Sequence, residues 1–177
     1  MRIGVSAGGN YPTITSGDNG FDGLIVESGA TLTMDGGDVT VSNALRVAGT
    51  LVCAGTEKVT LLGDVDFTGG SFTRALSTFV LNGNLAESVN FGTVTLHDLV
   101  VAKSGGSVAF AGGFAADDAF PFALDGNAGW SASFANGKYS CRSVYIDGVA
   151  DGQAKITLSG TAWSMEAKSL AKVFGVR

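Results

Sequence analysis

Residues 95–113 read TLHDLVVAKSGGSVAFAGG, and the pattern of this stretch sets the expected architecture. It holds two short apolar runs, each of which ends at a pair of glycines, Gly105–Gly106 and Gly112–Gly113. Within each run apolar residues recur at every second position, which is the spacing of a strand with one buried face. The pattern predicts two short strands that turn at glycine corners. Four side chains are expected to point inward: Leu99, Val101, Val108 and Phe110.

The polar residues of this stretch include the only histidine of the chain, His97. We expect His97 and Lys103 to lie on the outer face, and a surface histidine is favoured over a catalytic one. Because neighbouring residues of a strand point to opposite faces, His97 and Asp98 are not expected to form a catalytic dyad.

Similar strand-like runs recur upstream, in ATLTMDGG, DVTVSN and TFVLNG, with Gly, Asn and Asp between them. The triplets TIT and TLT begin at Thr13 and Thr31, and the glycine pairs that begin at Gly69 and Gly105 are separated by twice that interval. A repeat this short cannot bury an apolar face alone and stacks on its neighbours, so we expect coils of about 17 to 20 residues.

We therefore predict an all-β fold, with a right-handed parallel β-helix, or β-solenoid, over residues 21–113 and an N-terminal lead-in or cap at residues 1–20. A β-sandwich of hairpins is the alternative, because its turns recur at roughly 8 to 12 residues. After residue 113 the spacing is lost and aromatic residues become dense. Residues 114–177 are predicted to form an aromatic-rich C-terminal β cap or interaction subdomain. The tail is expected to contain a short helix from an N-cap at Ser164 to a stop at Gly175.

Composition and charge exclude several classes of function. Hydrophobic residues make up 45% of the chain and charged residues 15%, so the chain is expected to fold. The net charge is −5, and no cluster of Lys and Arg is present, so we expect no nucleic-acid partner. No apolar run approaches the roughly 20 residues of a membrane-spanning helix, so we expect no membrane insertion.

The cysteine and glycine patterns indicate neither a zinc site nor a cofactor. Cys53 and Cys141 are expected to be two buried free thiols, with a single disulfide as the alternative. There is no CxxC motif and no Cys/His cluster of the kind that binds zinc. No glycine-rich phosphate-binding motif opens a helix, so we expect no cofactor.

Asp64 and Asp66 are the best candidates for acid–base or Ca²⁺ chemistry, because they share one strand face in GDVDFTGG. Their carboxylates are expected to lie about 7 Å apart, a spacing compatible with an inverting glycosidase or a Ca²⁺ ion. The flanking residues are the apolar Val65 and Phe67, and we favour a solvated strand face.

Threonine triplets at 13–15, 31–33 and 93–95 suggest a flat threonine ladder, a feature with which some β-solenoids bind ice. A ladder needs the same residues in register on every coil. Thr50 and Thr68 are isolated between the triplets, so the ladder is expected to break and an ordinary exposed strand face is favoured.

The stretches GGSFTRALSTFVLNG and FGTVTLHDLVVAKSGGSVAFAGG resemble repeats in parallel β-helix segments of bacterial surface and adhesin-like proteins. The resemblance spans residues 69–113 and implies an architecture, with no catalytic residues. The architecture is also similar to that of β-helical phage virion proteins. The matching positions are Gly70, Ser71, Phe72, Thr73, Asn82, Gly83, Leu99, Val101, Lys103, Ser104, Gly105 and Gly106.

These observations predict a non-enzymatic structural or assembly protein. The start MRIGVSAGGNYPTI lacks the apolar stretch of an export signal, so with Met1 as the natural start we expect a phage virion component, a head-decoration or fibre protein. A bacterial cell-surface adhesin or filament domain, located outside the cell, is the alternative, and a carbohydrate-active β-helix enzyme is a weaker one.

The expected partners are other virion or surface proteins and further copies of the chain. A short solenoid exposes strand edges, which predicts a homo-oligomer, with a trimer as the first hypothesis. The candidate interface residues, for which the alternative is a place in the local core, are Phe120, Phe122, Trp130 and Trp163.

Overall fold

A computed structural model describes residues 1–111 and 114–116, and beyond them the backbone of seven further strands between residues 121 and 166. Every regular element in these described parts is a β-strand. Parallel strands stack into a β-solenoid of about five turns. This confirms the predicted fold class and excludes the sandwich of antiparallel hairpins.

The solenoid and its continuation contain 22 strands in the described parts of the chain. In chain order they are β1 (Arg2–Ile3), β2 (Thr13–Ile14), β3 (Asp18–Val26), β4 (Thr31–Met34), β5 (Asp38–Val47), β6 (Thr50–Cys53), β7 (Lys58–Leu61), β8 (Asp64–Asp66), β9 (Ser71–Thr73), β10 (Thr78–Gly83), β11 (Ala86–Asn90), β12 (Thr95–Leu96), β13 (Asp98–Lys103), β14 (Ser107–Phe110), β15 (Phe114–Ala116), β16 (Pro121–Leu124), β17 (Ser131–Phe134), β18 (Gly137–Ser140), β19 (Ser143–Ile146), β20 (Val149–Ala150), β21 (Lys155–Leu158) and β22 (Trp163–Glu166).

Each coil contributes one strand to each of three faces. The first face contains β2, β4, β6 and β9 as one sheet, and β12, β15 and β18 as a second. The second face contains the first halves of β3 and β5, followed by β7, β10, β13, β16 and β19. The third face contains β1, the second halves of β3 and β5, and then β8, β11, β14 and β17. The long strands β3 and β5 bend around the corner between the second and third faces, with a register shift between Phe21 and Gly23.

The coil length is constant along the second face from β3 to β13 and is longer beyond it, where Val101 pairs with Leu124 and Leu124 with Ile146. Parallel pairing joins Gly20 to Thr40, Thr40 to Thr60, Thr60 to Val80 and Val80 to Val100, so each coil adds the same number of positions. The interval between the threonine triplets is shorter than this coil, because Thr13 pairs with Thr33 and not with Thr31. That interval is therefore wrong as a coil length, although the coils themselves are present.

The separation of the two glycine pairs is twice the incorrect interval only because the pairs lie at different corners of the coil. Gly69–Gly70 connect β8 to β9, at the corner between the third and first faces, whereas Gly105–Gly106 connect β13 to β14, at the corner between the second and third faces. The distance between the two pairs is consequently not a multiple of the coil length. Gly105–Gly106 do form a corner as predicted, and Gly112–Gly113 lie outside the described residues.

The core is a set of apolar columns that run along the solenoid axis. Four side chains of residues 95–111 were predicted to point inward, and all four are buried: Leu99, Val101, Val108 and Phe110. In the middle coils the columns converge on an aromatic cluster with ring centroids 5.1 to 6.1 Å apart, mostly edge to face, an arrangement that adds to the apolar burial. The cluster contains Phe67, Phe72, Phe79 and Phe91.

Parallel pairing continues beyond residue 113, through β16 and β17 to β18 and β19. The last three strands, β20, β21 and β22, pair antiparallel with this end of the solenoid. The predicted N-cap at Ser164 is wrong, because Ser164 lies inside β22 and pairs with Ser133 of β17, and the rest of the predicted helix, residues 167–175, lies outside the described residues. An open sheet edge offers a backbone partner to every second residue, and the weak capping signal at Ser164 does not compete with it.

One glycine is required by the close stacking of coils at a corner. A Cβ atom at Gly63 would lie 1.8 Å from the backbone oxygen of Asn43 in the coil before it. Backbone atoms cannot move aside as the end of a flexible side chain can, so no larger residue fits at this position. By contrast, a Cβ atom at Gly20 meets no atom within 4 Å.

We predict that Gly63→Ala lowers the free energy of unfolding by about 2 kcal/mol or more, because the added methyl group forces the two coils apart. Gly20→Ala, also in the solenoid, serves as the matched control and is expected to change the free energy by less than about 1 kcal/mol. Urea unfolding followed by circular dichroism measures both. Equal effects of the two substitutions would contradict the close approach.

Candidate functional sites

The first face of the solenoid presents a regular array of small, uncharged side chains. In β4, β6 and β9 the residues between the array positions are buried or half-buried and point into the core, so the array points outward. We call this array the threonine face, and it consists of Thr13, Thr31, Thr33, Thr50, Val52, Ser71 and Thr73.

The threonine face is built from two columns of residues in register. Thr31, Thr50 and Ser71 form the first column, and the Oγ atoms of Thr50 and Ser71 are hydrogen-bonded at 2.9 Å. The second column consists of Thr13, Thr33, Val52 and Thr73.

Thr50 lies in register in the first column and is hydrogen-bonded to Ser71, but the ladder of threonines does break, as expected, at Val52 in the second column. The interval between the triplets did not reveal this pairing. Added to Thr33 it leads to Leu51, whereas the partner of Thr33 is the next residue, Val52. Thr68 does lie elsewhere, after β8, where it donates hydrogen bonds to Asp66.

Asp64 and Asp66 point outward from β8, on either side of the buried Val65, as predicted. The Asp64 carboxylate accepts a hydrogen bond of 2.9 Å from the backbone N–H of Ser88 in the next coil. The Asp66 carboxylate accepts hydrogen bonds of 2.9 and 2.6 Å from the N–H and hydroxyl groups of Thr68. These bonds, together with the charge of Arg46, hold the pKa of Asp66 below its ordinary value.

Asp66 also lies at the margin of an open cavity of about 480 Å³ on the third face. Arg2 and Arg46 line the same cavity, and the Arg2 guanidinium is ion-paired with Glu27. The cavity therefore combines both signs of charge along its wall. Among the described residues, no group of three or more His, Cys, Asp or Glu side chains is arranged to hold a metal ion.

His97 and Asp98 are in contact, contrary to the sequence-based expectation, with 3.3 Å between His97 Nδ1 and Asp98 Oδ2. The alternation rule does not apply here, because His97 lies in the corner between β12 and β13, outside both strands. The side chains are 15% and 20% exposed, so His97 is only partly on the surface. Burial raises the pKa of Asp98, and the neighbouring His97 acts in the opposite direction.

The positions that correspond to His97 in the two preceding coils, Ser77 and Glu57, are buried. Ser77, which immediately precedes β10, is completely buried, so a substrate has no route to its hydroxyl. Glu57, which precedes β7, is buried and accepts hydrogen bonds from the backbone N–H groups of Gly36 and Gly55. Burial acts to raise the pKa of Glu57, but these backbone hydrogen bonds lower it below its ordinary value.

Lys103 is buried, and its predicted place on the outer face is wrong. Its ammonium group donates a hydrogen bond of 2.5 Å to Glu87 Oε1 and another of 3.3 Å to the backbone oxygen of Asn82. Both charged side chains are fully removed from solvent. The second carboxylate oxygen of Glu87 has no hydrogen-bond partner among the described residues. Burial raises the pKa of Glu87 to about 7, against the opposing effect of Lys103.

Cys53 is a buried free thiol, as predicted, with its sulfur 4.0 Å from the sulfur of Met34. Burial raises the pKa of Cys53 to about 12. The other cysteine, Cys141, lies outside the described residues, as do the candidate interface residues Phe120 and Trp130. The structure places Phe122 in β16 and Trp163 in β22. Among the described residues there is no helix long and apolar enough to cross a bilayer.

We predict that Glu87 makes the stability of the protein fall as the pH rises from about 4.5 to 7. The folded protein holds the Glu87 proton more tightly than the unfolded chain does. The resulting contribution to the free energy of unfolding is therefore full below the ordinary pKa of 4.5 and is lost as the pH rises to about 7. The stability of the wild type relative to Glu87→Gln is expected to decrease by roughly 3 kcal/mol across this window. Urea unfolding of both proteins at a series of pH values measures it, and a difference that is constant or rises with pH contradicts the prediction.

We predict that Cys53 does not react with an aromatic disulfide reagent at pH 8 while the protein is folded, because the thiol is buried and protonated. The variant Cys141→Ser removes the other thiol, so that Cys53 alone is measured. In urea the same variant is expected to release one equivalent of the coloured thiol. Rapid reaction of the folded variant would show that Cys53 is accessible.

A scan against protein-family models finds no match, and the chain matches no curated protein and no solved structure in the corresponding searches. The geometry of the described residues is therefore the basis for assigning a function.

Proposed function

We propose that the chain is a non-enzymatic structural module of an extended assembly. The single observation that carries this proposal is that three acidic side chains at corners and strand ends each contact a residue of another coil. Asp64 binds the backbone of the next coil, Glu57 binds that of the preceding coil at Gly36, and Glu87 is buried against Lys103. An acid–base catalyst needs a reactive group within reach of a substrate, and these groups are committed to the fold.

The positions that resemble surface and adhesin repeats also have architectural roles. A Cβ atom at Gly70 would lie 2.2 Å from the backbone oxygen of Val47, and Gly83 and Gly106 have positive φ angles of 88° and 70°. Lys103 belongs to the buried ion pair. The resemblance thus follows from the requirements of stacked coils, and it supports a structural role without pointing to a ligand.

Two settings suit such a module. The first is a phage virion, with the chain as a head-decoration or fibre protein, and the second is the bacterial cell surface, with the chain as an adhesin or filament domain. Peptide mass spectrometry of purified virus particles and of proteins released from intact cells separates these settings. Recovery from particles supports the first setting, recovery from the cell surface supports the second, and recovery from the cytosol alone contradicts both.

The open edge of the first coil supports the proposal of self-association. The segment Asp18–Phe21 of β3 pairs with β5 on one side, and β1 covers only Ile25 and Val26 on the other. Among the described residues no strand pairs with the free edge of this segment. A second copy of the chain can supply the missing partner, since unpaired backbone groups are a template for strand addition.

We predict a concentration-independent mass larger than that of a single 17.9 kDa chain, with a trimer as the leading hypothesis. Light scattering coupled to size-exclusion chromatography at several loading concentrations measures it. Trp163→Ala and Phe122→Ala test whether these aromatic residues lie at the interface. A mass equal to one chain at every concentration rules out the proposed oligomer.

The non-enzymatic part of the proposal predicts that incubation with acidic and neutral polysaccharides releases no reducing ends. Asp64→Asn and Asp66→Asn are the matched variants, since they are the best-placed carboxylates for hydrolysis. Cleavage by the wild type that disappears in either variant would establish a glycosidase and overturn the proposal.

A further inference from the structure

The threonine face differs from the rest of the described surface in being free of ionisable groups over four consecutive strands. Its seven residues are five threonines, one serine and one valine. The third face, by comparison, carries Arg2, Arg46 and Asp66 in one column. A ligand for the threonine face must therefore be neutral and must offer both hydrogen-bonding groups and close van der Waals contact.

The geometry of the threonine face is also periodic in two directions. Along each column the side chains repeat at the strand spacing of about 4.8 Å, and along each strand the two array positions are about 6.6 Å apart. The pairing between β4, β6 and β9 runs without a register shift, so the two columns stay parallel. The Oγ atoms of Thr50 and Ser71, bonded at 2.9 Å, show that hydroxyl groups follow the column direction.

We propose that the threonine face binds the surface of ice. The prism faces of hexagonal ice present oxygen atoms that repeat along two perpendicular directions, and the threonine face likewise repeats along its columns and along its strands. Threonine suits such a surface because its hydroxyl group joins a hydrogen-bonded water layer while its methyl group packs into the gaps between waters. Water molecules ordered by a rigid array bridge protein and ligand almost as well as direct hydrogen bonds do.

The rigidity of the face comes directly from the solenoid core. Four inward neighbours of the array are at most 1% exposed, and the inward neighbours on the outer strands β2 and β9, Ile14 and Phe72, are partly buried against the core. The four fully buried residues are Leu32, Met34, Leu51 and Cys53. Their packing fixes the direction of the outward side chains, and β-branched threonines have few χ1 rotamers. The array is thus ordered before the ligand arrives, which lowers the entropic cost of binding many weak contacts at once. Ice binding by this face does not depend on the assembly role proposed above.

The test measures the partitioning of the full chain into a slowly growing ice hemisphere, together with thermal hysteresis. Thr33→Lys places a charge in the second column, next to Thr13 and Val52, and is expected to lower both signals by at least half. The matched control is Thr60→Lys, which makes the same substitution at a half-buried outward position on the second face. This control is expected to behave as the wild type does.

Circular dichroism and thermal unfolding establish that both variants are folded before they are compared. A further variant, Val52→Thr, adds the missing hydroxyl group to the second column and is expected to increase thermal hysteresis. Exclusion of the wild type from ice would overturn the proposal, as would an equal loss of signal in Thr33→Lys and Thr60→Lys. Retention on insoluble cellulose without partitioning into ice would assign the face to a neutral polysaccharide and would also overturn it.

Discussion

Successive parallel coils are hydrogen-bonded in register, and the other features of the molecule follow from this pairing. It places each residue directly above its counterpart in the previous coil, as Thr40 lies above Gly20 and below Thr60. Because side chains alternate between faces, the same register sends one set into the core and the other to the surface, and a slip of one residue would exchange the two sets. The apolar columns, the aromatic cluster and the threonine face are all consequences of this register.

Differences in the number of residues per coil are accommodated at the corners between the faces. Coil length is constant from β3 to β13 on the second face, whereas on the third face the step from Asp66 to its partner Asn90 is longer than the step from Arg46 to Asp66. Buried charge is found at or beside these corners, in Glu57 and in the pair formed by Glu87 and Lys103. These charged groups accept hydrogen bonds from backbone N–H groups, or pair with each other, where the pairing between strands is interrupted. Their role is therefore structural.

The inward apolar residues could be predicted from the sequence, because strict alternation states which side chains share a face. The same rule held the signal for the buried ion pair: Lys103 is in phase with Leu99 and Val101, and Glu87 is in phase with Val89. Charge led to its assignment on the outer face, since a lone lysine is rarely buried and its partner lies in another coil. The coil length could not be predicted from glycine pairs, because different corners use the same residues. The position of Thr50 in the first column depends on that length and was missed with it, whereas the break in the threonine ladder was predicted and occurs at Val52.

In-register stacking can be measured as a set of distances between nitroxide labels along one outward column of the second face, in a background without Cys53 and Cys141. The distance between labels at positions 20 and 100 is measured by double electron–electron resonance. The shorter distances, between labels one or two coils apart, are measured from the broadening of the continuous-wave spectrum. Stacked coils predict that the mean distance grows by about 4.8 Å for each coil added, to about 19 Å between the outermost positions. The column is Gly20, Thr40, Thr60, Val80 and Val100. Distances that do not increase in equal steps, or that place Gly20 as close to Val100 as to Thr40, would contradict the solenoid.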